Sequence, residues 1–341
     1  SGMRNEALYI RGIGSAANTG FDQSVPIYSD GAAFTRGRAE NMAFLDVDRI
    51  EVLRGPQPIY FGKNAIGGAL SLNSRRPTDE FEGTLQVTNE FEHSEFSVFA
   101  ALSGPLSDSF KVRAAFKTRD MDGWLNNSLS GNSKEPNIED RLGRLSAVWQ
   151  PSDSVEIYAK LEEASTKDVG HTNQLYGCPA GSLAAQGIDP KVETCQFDRT
   201  RAAVIVPGRH PEQSWTSGLP YIETFDLESG QLAVNWMAGD YELSATVSSY
   251  DYDSRLPQFD IDGSPAPLGT AKIFETYEQQ STEFRVVSPQ GGRVDWVFGL
   301  YSDSGDLKDA GIVGAVANIL PIPGARVSPN VLAQQSMDSS A

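Results

Sequence analysis

The sequence predicts a chain dominated by β-structure. A partial transmembrane β-barrel of about nine to ten antiparallel strands occupies residues 79–341, behind a mixed α/β domain at residues 1–78. Three observations predict it. Apolar and polar residues alternate strictly from residue 81 onward. The connections between the alternating runs switch between short and long. No run approaches the roughly 18 apolar residues of a transmembrane helix, so a membrane crossing falls to strands.

Residues 1–78 carry short apolar runs between glycine-rich turns. Val47-Asp-Arg-Ile-Glu-Val-Leu-Arg54 reads as a strand that stops at Gly55-Pro56, and Ala69-Leu-Ser-Leu-Asn73 as another. Gly62, Gly67 and Gly68 mark backbone positions of unusual dihedral or close approach. Beyond them the side-chain period becomes two. In Val155-Glu-Ile-Tyr-Ala-Lys-Leu-Glu162, Val155, Ile157, Ala159 and Leu161 share one face; Glu156, Tyr158, Lys160 and Glu162 share the other. Phe110–Arg119 puts Lys111, Arg113, Lys117 and Arg119 together on the polar face. Further strands are expected at about 81–92, 95–104, 141–150, 226–238, 241–248, 278–288 and 294–304, with the start of another at 330–341.

The connections separate a barrel from a soluble sandwich. Gly104–Asp108, Gln150–Ser154, Ala238–Asp240 and Pro289–Arg293 are short. The intervening loops, at about 120–139, 165–223, 256–276 and 306–329, are long. A structureless loop of nearly sixty residues argues against a compact soluble domain. Outer-membrane barrels pair short turns on one side with long loops on the other. A mean hydropathy of −0.33 is compatible, because half of each barrel strand faces a polar lumen. Phe81, Phe110, Trp149, Trp236, Tyr241 and Trp296 lie near strand ends, where interfacial aromatics belong. The alternative is a soluble or secreted β-rich carbohydrate-binding or adhesion module with these residues in its core.

With 45 acidic against 28 basic residues, a net charge of −17 offers no basic stripe for nucleic acid. Cys178 and Cys195 suit a single loop disulfide in an oxidising compartment, with two free thiols as the alternative. His93, His171 and His210 are far apart, and nothing has metal-ligand spacing. Asp251, Asp253, Asp260 and Asp262 lack the ligand spacing of an EF-hand. Neither Gly-x-Ser-x-Gly nor a P-loop pattern occurs, so no catalytic residue, metal site or bound cofactor is expected.

Five elements occur in order: Ile10-Arg11-Gly12, Val25–Gly31 ending in Asp30-Gly31, Asp48–Gln57, Tyr60-Phe-Gly62, and Ala65–Asn73. Together they resemble the plug domain of TonB-dependent outer-membrane receptors. The resemblance implies a plug inside a barrel of about 22 strands. It implies a small-molecule substrate, such as an iron–siderophore chelate or cobalamin, and residence among the lipids of the bacterial outer membrane. It also implies energy from a TonB–ExbB–ExbD complex, through an N-terminal box that these residues lack. On that pattern the chain reads as a fragment truncated at both ends. Arg11, Gly12, Asp30, Gly31, Glu51, Arg54, Gly55, Pro56, Gly62, Gly67 and Gly68 carry the plug motifs. Glu51 and Arg54 are expected to pair with wall charges, Arg75 and Arg76 less so, and the basic stripe with Glu51, Asp46 and Asp48. Asn18, Arg36, Arg38 and Asn41 are candidate ligand-facing apex residues. His171, Tyr176, Arg199, Arg201, His210 and Trp215 flank the cysteine loop and are weaker candidates.

Overall fold

The computed structural model describes residues 8–15, 22–36, 44–56, 61, 64–128, 134–170, 174–178, 195–201, 222–260, 269–291, 293–315 and 331–340. The small sheet at the N-terminal end contains β1 (Ile27–Ser29), β2 (Ala32–Phe34), β3 (Val47–Arg54) and β4 (Gly68–Ser74), in the order β2-β1-β4-β3. Asp30-Gly31 closes the β1–β2 hairpin with φ of 51° and 88°. Both central residues lie at positive φ, as a type I′ turn demands, and Asp-Gly supplies them at little cost. Gly68 has φ of 140°, and a Cβ there would collide with the Leu53 carbonyl. Among the described residues of this domain only Phe61 is helical, so the α half of the mixed α/β expectation is not shown.

The second sheet runs β5 (Glu82–Glu90), β6 (Glu95–Ser107), β7 (Phe110–Met121), β9 (Asn137–Ser152), β10 (Val155–Val169), β12 (Ile222–Ala238), β13 (Tyr241–Asp260), β14 (Gly269–Val287), β15 (Val297–Ala315) and β16 (Val331–Ser340). These ten strands are consecutive antiparallel neighbours. Two short loop strands, β8 (Asn126–Asn127) and β11 (Thr200–Arg201), pair with each other.

Strands outrun the sequence expectation at their loop ends. The loop expected at 256–276 is mostly strand, because β13 reaches Asp260 and β14 begins at Gly269. Likewise β7 reaches Met121, β10 reaches Val169 and β15 reaches Ala315. Spanning hydrocarbon takes about 9–11 tilted residues. Past that band the ladder still satisfies the backbone, but both faces are wet and the alternation that marks a strand disappears.

The large sheet has inverted polarity. On β10, Leu161 is 64% exposed on the outer face, while the side chains of Lys160 and Glu162 are 2% exposed on the inner one. A soluble sandwich buries the opposite set. Against the inner face sits the small sheet. Ile27, Phe34 and Leu72 share one buried cluster with Ala164, Phe225, Leu227, Tyr250, Tyr252, Tyr277 and Leu307 of the wall.

Candidate functional site

The contact between the small sheet and the wall is where charge is concentrated. The β1–β2 turn aims Asp30 at β10. Lys160 Nζ donates to Asp30 Oδ2 at 2.6 Å and to Ser29 Oγ at 2.9 Å. The Ser74 backbone N–H donates to Asp30 Oδ1 at 2.8 Å, and Gln231 Nε2 to the Asp30 carbonyl at 2.8 Å. Burial pushes the Asp30 carboxyl up, but the Lys160 charge and the hydrogen bonds from Lys160 and Ser74 outweigh it and hold it below its ordinary 3.8. A depressed carboxylate contributes stability at pH values above 3.8, and that contribution is lost as pH falls through the native value. Acid titration followed by tryptophan fluorescence is therefore expected to show seating unchanged from neutral pH to about 4, with a loosening limb below it. Asp30→Asn should remove this carboxylate's part of that limb. An identical limb in Asp30→Asn would assign the transition to other groups.

Asp46, at φ of 47° just before β3, makes the second charged contact. Arg113 on β7 grips its carboxylate bidentately, Nε to Oδ2 at 2.7 Å and Nη2 to Oδ1 at 2.9 Å. Both side chains are 3% exposed. Arg144 Nη1 on β9 donates to the Asp46 carbonyl at 3.2 Å. Asp46 was one of the carboxylates expected opposite the basic stripe, and Arg113 is the stripe residue that meets it.

Each latching cation also holds a carboxylate of the wall itself. Lys160 lies 3.2 Å from Glu162, which receives Arg144 Nε at 2.5 Å and the Ser229 hydroxyl at 3.2 Å. Arg113 Nη1 donates to Glu82 at 2.9 Å. Withdrawing the small sheet thus leaves each cation one partner, so neither is stranded as an uncompensated buried charge.

Toward β13 and β14 the contact becomes largely aromatic. Phe34 packs on Tyr250 at 4.7 Å between centroids, and the Thr35 N–H donates to Tyr250 Oη at 3.3 Å. Thr35 Oγ1 donates to Gln279 Oε1 at 3.0 Å. Arg36 lies buried with its guanidinium 4.6 Å over the Tyr277 ring and 3.6 Å from Asp22.

The remaining sequence candidates are distributed as follows. Arg76 does reach the wall, at 2.8 Å from Glu156 and stacked 4.7 Å over Tyr158. Among the described residues Glu51 pairs instead with Arg49 at 3.2 Å and accepts from Asn73 at 3.3 Å on the small sheet's own exposed surface. Arg54, on the same strand, is exposed, as are Arg75, Gly12, Arg11 and Pro56. Gly55 and Gly67 carry the turn that leaves β3, where Gly55 N–H donates to the Gly67 carbonyl at 3.2 Å. Asn18, Arg38, Asn41 and Gly62 lie outside the described residues, as do His171, His210 and Trp215. Cys178 and Cys195 are disulfide-bonded with Cα atoms 5.6 Å apart, and Tyr176 beside them is exposed. Sequence reading missed Lys160 as a latch, because it looks like any other lumen-facing residue of an alternating strand. It also passed over Glu90, Glu92 and His93, whose ligand atoms gather within 4.8 Å where Glu90 accepts two backbone N–H groups of its own turn.

Residues 1–69 match the family described as the TonB-dependent Receptor Plug Domain. The chain is 27% identical over 291 residues to the ferric enterobactin receptor PirA of Pseudomonas aeruginosa, covering 77% of this chain and 38% of that one. It is 28% identical over 263 residues to the pesticin receptor of Yersinia enterocolitica, covering 72% and 37%. Its fold matches the crystal structure of the ferric yersiniabactin uptake receptor FyuA from Yersinia pestis, with a TM-score of 0.64, 18% identity, and 86% and 42% coverage. The chain spans about two-fifths of the length of these relatives.

Proposed function

We propose that this chain, which belongs to the TonB-dependent receptor family, forms the plug and first wall strands of a bacterial outer-membrane receptor for a ferric siderophore. Energy reaches it from the TonB–ExbB–ExbD complex pulling on the plug. The observation that carries the reading is the doubly provided latch. Asp30 and Asp46 hold the plug to Lys160 and Arg113. Glu162 and Glu82 stand ready to keep those cations paired when the plug leaves. A structural interface needs no second set of partners; a plug that is withdrawn and reseated each cycle does. The receptors for ferric enterobactin and ferric yersiniabactin among its relatives favour an iron chelate over cobalamin or a saccharide.

The test is uptake of radiolabelled ferric catecholate and ferric phenolate siderophores by cells whose only receptor is the full-length polypeptide containing these residues. Uptake of one chelate that vanishes when TonB is deleted is expected. Uptake indifferent to TonB, or none with any ferric chelate, would overturn the proposal.

A further inference from the structure

Among the described residues, the turn between β5 and β6 gathers three metal-ligating side chains. Glu90, Glu92 and His93 each present a ligand atom, and these atoms lie within 4.8 Å of one another. Ligands at about 2.1 Å from one ion stand about 3.4 Å apart in a tetrahedral shell. Small rotations of side chains on an open turn close that difference. The turn stands at the end of the wall that the long loops occupy, beside Asp122 and Trp124 of the loop that follows β7.

The turn holds two of the three ligands in place. Glu90 accepts the Glu92 N–H at 2.6 Å and the His93 N–H at 2.7 Å, which fixes its carboxylate over the turn. Ser94, at φ of 52°, then leads the chain into β6. The His93 carbonyl accepts the Asp122 N–H at 3.0 Å, and the His93 ring stands edge-on to Trp124 with centroids 5.9 Å apart. Its Nδ1 is 3.4 Å from Glu90 Oε2. Groups ordered before binding lower its entropic cost. A carboxylate-capped turn accounts for Glu90 alone; it requires neither an imidazole against that carboxylate nor a second carboxylate within reach.

The set already draws a cation. Arg199, next to β11 and 107 residues away in sequence, places Nη1 3.3 Å from Glu92 Oε1. Its own carbonyl accepts the Asn126 N–H at 2.8 Å, so Arg199 ties the turn to the paired loops β8 and β11. Both partners of the Arg199–Glu92 pair are exposed, and exposed pairs are weak. A divalent ion held by three ligands at once outcompetes one guanidinium. Calcium and magnesium take shells of oxygen, whereas an imidazole suits zinc and its transition-metal neighbours.

We propose that Glu90, Glu92 and His93 bind a divalent transition-metal ion of the zinc class, and that the ion takes Glu92 from Arg199. Binding thereby releases one tie between the β5–β6 turn and the disulfide-bonded loop. The site is separate from the contact between plug and wall, and the ion it takes is not the chelate proposed as cargo.

Calorimetric titration with zinc chloride tests this on the full-length polypeptide containing these residues, in detergent, with calcium chloride as the comparison. Zinc bound in preference to calcium is expected. His93→Ala and Glu92→Gln should each weaken zinc binding by about tenfold or more. Both leave the backbone hydrogen bonds of the turn and the cap at Glu90 intact, so their melting temperatures without metal should match the parent. Arg199→Ala should strengthen zinc binding a few-fold, because Glu92 loses its competitor. Zinc affinity unchanged in His93→Ala would place the ion elsewhere on the chain and overturn the proposal. So would calcium bound as tightly as zinc, or no binding of zinc. Unchanged affinity in Arg199→Ala would overturn the exchange at Glu92 and leave the metal site standing.

Discussion

Lys160→Met is expected to loosen the plug strongly. Its ammonium is 2% exposed and sits between Asp30 and Glu162. Removing it leaves two carboxylates together in a buried seam. Stranding one partner of a buried pair costs about 3–5 kcal/mol. The expected result is a lower plug unfolding temperature and a leaky barrel, read as sensitivity of cells to a large antibiotic that the outer membrane normally excludes. The double variant Lys160→Met with Asp30→Asn should recover part of the loss, since it removes the charge as well as its partner. No leak in the single variant, or no recovery in the double, would show that Asp30 and Lys160 do not act together.

Arg113 is expected to divide into two separable effects. Arg113→Ala abandons a carboxylate that is 3% exposed and should cost about 3–5 kcal/mol of plug seating. Arg113→Lys keeps the charge but cannot make the bidentate grip, and should lose about 1–3 kcal/mol. Glu82→Gln should act in the other direction. Glu82 is 52% exposed, so its loss is tolerated by the fold, but Arg113 is left with Asp46 alone. The plug should then seat at least as firmly while energised uptake slows at unchanged chelate affinity. Arg113→Ala and Glu82→Gln producing the same leak would contradict the exchange of partners.

Much of this arrangement is legible in the sequence, for reasons that also mark where legibility stops. The lower halves of the strands announce themselves because lipid on one side and a polar lumen on the other force a period of two, as in Val155–Glu162. Above that segment the constraint is gone, so Ser165–Val169 and Leu256–Asp260 pass for loop although both lie in paired strands, the second across a register shift between Leu256 and Phe259. Asp30-Gly31 gives away its hairpin, and the basic stripe on β7 gives away a counter-charge. It does not tell which of several plug acids answers it. Glu51 and Arg54 carry motif positions yet lie on the plug surface turned from the described wall, because a motif fixes the chain's path and not the neighbour across a gap. Lys160 is invisible for the same reason: its partner lies 130 residues away.

That separation bears on how the chain reaches its native state. Every pairing within the wall joins strands that are successive in the ladder, and several, such as β6 with β7 or β12 with β13, are closed by two-residue turns. Such contacts form with little loop-closure entropy. Contacts between plug and wall instead bridge up to 246 residues, as from Ala33 to Gln279. Formation of distant contacts is slow in proportion to the chain that must be gathered. The plug residues are made before the wall strands they pack on, so their lasting contacts are expected to form after the local strand pairings.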